Sequence, residues 1–413
     1  MEDLVAAPAC RSCGAPLEHV FADLGSSPLA NSYLRVEDLA EPEAFYPLKA
    51  YVCGECFLVQ LLKSASPEEI FGNYAYFSST SESWLRHARA YAESISARLG
   101  LGGESQVVEI ASNDGYLLQY FAELGVPALG VEPAANVAAA AVERGVPTKV
   151  AFFGTETAQA LLEEGLAADL VVGNNVLAHV PDLNDFVEGV RVLLKPEGTA
   201  TFEFPHLLRL VEQTEFDTIY HEHFSYFSLL AVRRVLAAHA LAVVDVEELP
   251  THGGSLRLYV RHGSTGDPDG RVDELLARER EAGLDRLERY AAFEEQVRAT
   301  KRDLLEFLIS IRRGGAHVAA YGAAAKGNTL LNYCGIRGDL LDYVVDRSPH
   351  KQGLFLPGTR LPIHAPERVA ETRPDFLLIL AWNLRDEIVS QMAHVREWGC
   401  RFVTPVPTVE VLA

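Results

Sequence analysis

Four consecutive residues, Tyr220, His221, Glu222 and His223, set a phenol, two imidazoles and a carboxyl side by side, and Phe224, Tyr226 and Phe227 follow at once. An imidazole titrates near neutral pH. One of these histidines can therefore take a proton from carbon, where a carboxylate or phenol orients it and a neighbouring ketone delocalises the carbanion. Burying four polar groups among aromatic rings is costly without a purpose, which favours a working site over an idle loop. A metal site on the His221-Glu222-His223 triplet is disfavoured, because ligands at alternate positions lack a further protein ligand nearby. His179, in NNVLAHVPDL, follows another apolar run and is placed at the edge of the same pocket, whereas His206, His239 and His262 are expected to be satisfied structural residues.

The stretch Val107 to Tyr116, VVEIASNDGY, is an apolar run ending in an acid, then small and polar residues, then a glycine before the helical pattern LLQYFAELG. It predicts a buried parallel strand, a tight loop and a helix whose first amides face a ligand at the strand's carboxyl end. A dinucleotide loop needs several glycines so that backbone can approach phosphate, and this turn has only Gly115. Its spacing, E-x-A-x-x-x-G with Glu109 at the strand end and Glu132 after the next strand in ALGVEP, resembles the S-adenosylmethionine loop of class I methyltransferases. There the second acid takes the ribose hydroxyls, and Ala111 stands where a first glycine is usual. The alternatives are an ordinary doubly wound turn that binds nothing, or one that binds NAD.

Of six cysteines, four fall as Cys10-x2-Cys13 and Cys53-x2-Cys56, while Cys334 and Cys400 stand alone. Each pair can wrap one edge of a tetrahedral metal from a turn, and in a reducing compartment metal outcompetes disulfides. The pattern predicts a structural zinc with every position filled by sulfur and none left for substrate. Two redox pairs would want a βαβ context that these residues lack.

The elements that must position these groups follow from periodicity. Residues 14–52 are short apolar pieces broken by Pro, Gly and Ser, expected as β-hairpins around the metal. Tyr74 to Ser79 is aromatic and hydroxylic, able to cover a cofactor or sugar or to pack a domain junction; the helix after it, with Trp84, Leu85, Ala88 and Tyr91 on one face, would be capped by Ser81 or Ser83. Strands are expected near 106–110, 128–131, 148–151, 168–173 and 199–204, the rhythm of a parallel sheet. LAVVDVEELPTHGGSLRLYVRH then reads as an antiparallel hairpin, the ending of a class I methyltransferase domain rather than of a plain dinucleotide fold. A breaker, GSTGDPDG, precedes a charged helical span to about Arg313. After it, Gly322 to Gly327 and Asp346 form a weak dinucleotide fingerprint in which Ala324 replaces the middle glycine, and Lys326 at the helix start suits a pyrophosphate equally well. Two further strands, DFLLILAW and RFVTPVPT, complete a second Rossmann-like unit.

The chain of 413 residues is too long for one core. The expected fold class is α/β: a zinc-binding domain over 1–75, a class I methyltransferase domain over 76–264 and a C-terminal Rossmann-like domain over 265–413. With 48% hydrophobic residues but no apolar run of about 18 or more, and no secretory pattern in MEDLVAAPAC, a cytoplasmic protein is expected. A net charge of -21 repels nucleic acid and anionic membranes while leaving room for a local cationic pocket.

Together these motifs resemble the zinc-containing sugar C-methyltransferases of deoxysugar pathways. The likeness runs nearly end to end: the CxxC pairs, YxYxSS at Tyr74–Ser79, the NDG loop, the EP after strand two, NxLxH at Asn175–His179, IYxEHFxxFS at Ile219–Ser228, HGG at His252–Gly254, YGAxAK at Tyr321–Lys326 and AWN at Ala381–Asn383. The resemblance implies methylation of a nucleotide-linked (dTDP- or other NDP-linked) 4-keto sugar beside its ketone. His223 would be the base, Tyr220, Glu222 and His179 would surround the sugar, and Tyr220 or His179 would stabilise the enolate oxygen. It implies S-adenosylmethionine held by Tyr76, Ser79, Glu109, Ala111, Asn113, Asp114, Gly115, Glu132, Pro133, Asn174 and Asn175, and nucleotide sugar held by Asn31, Lys326 and Asn328, in a monomer. His221, where an aspartate can stand in the family, and KGNTLLN after Lys326 depart from its pattern. The remaining alternatives are an oxygen or nitrogen methyltransferase, an NAD(P)-dependent oxidoreductase using the C-terminal fingerprint, and a zinc module that binds partners.

Overall fold

A computed structural model describes residues 8–63, 77–80, 82–263 and 269–412. Tyr74, Tyr76 and Ser81 lie outside the described residues, as does the side chain of Ser83.

The described residues form three sheets. The first begins with β1 (His19–Ser27), β2 (Tyr46–Val52) and β3 (Val59–Leu61), an antiparallel meander beside the cysteine turns. The second contains β4 (Val107–Ile110), β5 (Ala128–Val131), β6 (Thr148–Lys149), β7 (Ala168–Asn174) and β8 (Leu194–Pro205), all parallel. All four residues of β4 are buried, as a strand covered on both faces by helices requires. After β9 (Ser225–Tyr226), the strands β10 (Leu241–Leu249) and β11 (Ser255–His262) form the expected hairpin, and β11 inserts antiparallel beside β8. The order β10-β11-β8-β7-β4-β5-β6 reverses direction at the β4/β7 boundary, where loops from neighbouring strands diverge and open a crevice.

The third sheet has the order β14-β13-β12-β15-β16-β17, from β12 (Val318–Tyr321), β13 (Tyr343–Val345), β14 (Ile363–His364), β15 (Phe376–Ile379), β16 (Arg401–Thr404) and β17 (Glu410–Val411). Its own reversal lies between β12 and β15, so Lys326, after β12, and Trp382 and Asn383, after β15, share one crevice.

One strand leaves the unit in which it sits in sequence. β9, just after the histidine cluster, pairs with β3 at Val59↔Tyr226 and Gln60↔Ser225, so it closes the zinc-side sheet as a fourth strand. On the opposite side, Phe21 of β1 stacks on Phe293 at 4.5 Å, the first residue of the long helix Phe293–Arg313 that leads into the C-terminal unit. No helix among the described residues is long and apolar enough to cross a membrane.

Candidate active site

The loop after β4 is built against steric preference. Ala111, Asn113 and Gly115 take left-handed conformations (φ 56°, 49° and 75°), and Asn175 after β7 does the same at 54°. Asparagine and glycine enter this region readily, whereas alanine does so at a cost of about 1 kcal/mol. The Glu132 carboxylate, at the end of β5, secures the loop by accepting from the Asn113 and Ala134 amides, each at 2.9 Å, so Pro133 is spanned by that clamp. From outside, the Ser78 amide donates to the Asn113 side chain at 2.9 Å, and the Ser79 hydroxyl and Arg144 guanidinium both donate to Asp114.

What remains unpaired defines the ligand. Glu109 Oε2, Asp114 Oδ1, Asn174 Oδ1 and Asn175 Oδ1 are buried acceptors without a donor, all at the carboxyl ends of β4 and β7. Burial pushes the Glu109 carboxyl well above the carboxylate range, and Glu132 and Asp114 add repulsion. Such a crevice needs donors and positive charge. S-adenosylmethionine brings an α-ammonium, a sulfonium and ribose hydroxyls, whereas a dinucleotide pyrophosphate would set two anions beside the Asp114 and Glu132 carboxyls. The residues present fit the methyl donor.

Beyond the crevice stands the histidine cluster. His223 is buried, and its Nδ1 lies 3.0 Å from the Thr218 carbonyl. A carbonyl only accepts, so Nδ1 carries the proton and Nε2 keeps its lone pair. Burial, with His179 close by, pulls the His223 pKa well below the histidine range and keeps the ring neutral at pH 7. The Tyr220 ring lies 4.1 Å from the His223 ring, centroid to centroid, and His179 lies 4.7 Å away, edge on.

His179 is brought to the cluster as expected, but not as a donor. Its Nδ1 sits 2.9 Å from the Glu222 carbonyl, and burial lowers its pKa to about 4, so the neutral ring presents Nε2 as an acceptor. Burial raises the Glu222 carboxyl to about 7, and Asn31 of the zinc-side unit donates to it at 2.6 Å. Asn31 thus reaches the site through Glu222. His221 turns away, its Nε2 facing the Pro47 carbonyl at 3.2 Å and its ring near Tyr46. The three histidines expected to be structural are so: His206 pairs with Glu279 at 2.7 Å, His239 with Glu188 and Asn184, and His262 with the Leu194 carbonyl.

The C-terminal unit closes the site from above. Lys326 donates to Asn383 at 2.8 Å and lies 4.4 Å over the Trp382 ring, and burial lowers its pKa against the pull of Asp217 and Glu215. Asn328 is buried with its Nδ2 unpartnered and its carbonyl oxygen accepting from Asn332. Sequence reasoning gave no role to Glu215, Asp217 or Trp382. Burial raises the two carboxyls to about 8 and about 6, and Trp382 Nε1 donates to Asp217 at 2.7 Å. Glu215 and Asp217 on either side of Phe216, just before the Ile219–Tyr220 pair, were the available signal.

The four cysteine sulfurs lie within 4.8 Å of one another, with Cys10–Cys56 at 3.6 Å and Cys13–Cys53 at 3.5 Å. Tetrahedral Zn–S bonds of about 2.3 Å put sulfurs roughly 3.8 Å apart, so the cluster fits zinc, and a disulfide would need about 2.05 Å. Gln60 Nε2 donates to Cys10 Sγ at 3.1 Å and fixes that ligand from β3.

Sheet order, loop and acceptor-lined crevice define an S-adenosylmethionine-dependent methyltransferase joined to a structural zinc module and a second α/β unit. Family profiles match three consecutive spans: a zinc binding domain over residues 10–71, a methyltransferase domain over 84–246 and a C-methyltransferase C-terminal domain over 250–407. The C-methyltransferase NovU of Streptomyces niveus is 38% identical over 409 residues, covering 98% of this chain and 96% of that one. A ubiquinone biosynthesis O-methyltransferase of Bartonella tribocorum is 31% identical over 94 residues, 22% of this chain and 38% of its own. A solved N1-methyltransferase of Burkholderia thailandensis is similar at a TM-score of 0.33 and 20% identity, over 45% of this chain and 80% of that one, too slight a likeness to add to the assignment. The chain belongs to the zinc-containing S-adenosylmethionine-dependent C-methyltransferase family, and it is a C-methyltransferase.

Proposed function

We propose that the enzyme methylates the carbon beside the ketone of a nucleotide-linked 4-keto sugar, with His223 as base, working from the units 1–75, 76–264 and 265–413. The observation that carries the reading is the neutral, buried His223, its Nδ1 held by the Thr218 carbonyl and its ring against Tyr220. His223 Nε2 takes the proton from carbon, the electron pair moves onto the ketone oxygen, and Tyr220 and protonated Glu222 donate to the resulting enolate oxygen. The imidazolium that burial alone disfavours is stabilised by the enolate charge formed beside it. S-adenosylmethionine supplies the electrophilic methyl that the enolate carbon attacks. Tyr76, Ser79, Glu109, Ala111, Asn113, Asp114, Gly115, Glu132, Pro133, Asn174 and Asn175 are assigned to that donor. Lys326, Asn328 and Asn31 are assigned to the nucleotide sugar, since a half-buried lysine at a helix start offers both charge and amides to a pyrophosphate.

The test is hydrogen exchange in heavy water. Given a 4-keto sugar nucleotide, the enzyme exchanges the carbon-bound hydrogen even without methyl donor. His223→Asn loses exchange and methylation by a factor of ~10² to 10⁴ while keeping both ligands. Near-normal turnover of His223→Asn moves the base elsewhere, and methyl transfer to oxygen or nitrogen of the same sugar overturns the carbon-acid mechanism.

A further inference from the structure

The motifs around His252–Gly254 and Ala381–Asn383 are far apart in sequence and have no task in the reaction above, yet they meet. A Cβ on Gly253, whose φ is 96°, would stand 2.4 Å from Glu215 Oε1 and 2.7 Å from Trp382 Cη2, so only glycine lets the Trp382 ring and the Glu215 carboxyl close against that turn. From this seat Trp382 Nε1 donates to Asp217 Oδ2 at 2.7 Å. Asp217 is fully buried within the short 3-10 turn Phe216–Thr218, and the carbonyl of its neighbour Thr218 accepts from His223 Nδ1 at 3.0 Å. The same turn is gripped twice more from the C-terminal unit. The Phe216 ring packs edge-on against Tyr333 at 5.3 Å, and Thr329 Oγ1 donates to the Ile219 carbonyl at 3.2 Å.

We propose that Trp382 is a positioning residue for the base: through Asp217 it fixes the turn whose carbonyl holds His223 in its Nδ1–H form with the Nε2 lone pair directed at substrate. The inference rests on the reading of His223 as base for its kinetic consequence, but not for its structural one. A neutral imidazole whose Nδ1 partner drifts redistributes its proton between the two nitrogens, and the fraction protonated at Nε2 cannot accept from carbon. The second α/β unit then does more than close over a ligand, since it sets the protonation geometry of a residue in the loop that runs from the methyltransferase sheet to the zinc-side sheet.

The experiment uses the full chain with ¹⁵N-labelled histidine, the His223 signals being identified by their loss in His223→Asn. In the wild type, the His223 nitrogens report protonated Nδ1 and unprotonated Nε2. Trp382→Phe keeps an aromatic ring beside Lys326 and removes the N–H donor together with part of the indole, so the Asp217 variants isolate the hydrogen bond. Its His223 signals shift toward a mixed tautomer, and the exchange rate with keto sugar falls by up to ~10²-fold with S-adenosylhomocysteine affinity kept. Asp217→Asn retains an acceptor for Trp382 and restores the wild-type pattern, whereas Asp217→Leu reproduces Trp382→Phe. Unchanged His223 signals in a folded Trp382→Phe protein overturn the inference, as does an Asp217→Asn variant that behaves like Asp217→Leu. If His223→Asn keeps exchange, the assignment of the base fails, and the nitrogen signals of Trp382→Phe still decide the positioning role.

Discussion

Replacing Glu132 with alanine separates the loop from its ligand. The carboxylate accepts from two buried amides, Asn113 and Ala134, at 2.9 Å each. Removing it leaves two donors unsatisfied at roughly 1–3 kcal/mol apiece and frees Asn113 from the constraint that holds it at positive φ. The folded state should therefore lose about 2–6 kcal/mol, read as a lower thermal midpoint. Charge-assisted ribose contacts add roughly 1.5–3 kcal/mol to binding, so S-adenosylhomocysteine should bind about ten- to a hundredfold more weakly in calorimetry. Glu132→Gln keeps one carbonyl acceptor for one amide and should fall between wild type and alanine in both measurements. An alanine variant that stays folded and binds the cofactor product with unchanged affinity would refute the placement of the ribose, and one that loses no stability would refute the account of the loop.

Three further outcomes follow from the same geometry. Purified protein should hold about one zinc per chain, and Cys10→Ser should lower stability and solubility more than it alters the chemistry of the fraction that stays folded; metal analysis finding no zinc, or a disulfide in its place, contradicts this. Because burial raises Glu222 to about 7, its carboxyl is protonated below that pH and ionised above it, so kcat/KM should decline as pH rises through about 7, and Glu222→Gln should lack the decline; a wild-type profile flat through that region removes the carboxyl as a donor. Ala111→Gly relieves a left-handed alanine while adding unfolded-state freedom, so thermal denaturation should show a change between neutral and about 1 kcal/mol stabilising; a clear loss would mean the Ala111 methyl makes a contact that matters.

The periodic elements and the metal pattern were legible because local physics specifies them. The apolar runs of β4, β5 and β7, the hairpin β10–β11 and the two CxxC turns need no distant partner to be recognised. The grouping of Tyr220–His223 was legible because its composition is expensive to bury, yet the orientation of each ring within it was not. Whether His179 donates or accepts depends on which ring nitrogen meets the Glu222 carbonyl, a contact between residues 43 positions apart. Asp217 and Trp382, 165 positions apart, carry no mark in sequence beyond an acid among apolar neighbours and a tryptophan after a strand. Nor does the short run Ser225–Tyr226 announce that its partner is β3 rather than a strand of its own unit.

That last pairing has a consequence for how the chain is made. During synthesis the cysteine turns and β1–β3 emerge first and can take up zinc, but the edge of β3 stays open until Ser225 and Tyr226 have left the ribosome, more than 160 residues later. The zinc-side sheet is thus completed only after the parallel strands β4–β8 have been made, by a strand that directly follows the histidine cluster. A chimaera that exchanges the zinc module alone would break this edge pairing, whereas one that moves residues 8–63 together with 216–227 would carry it intact.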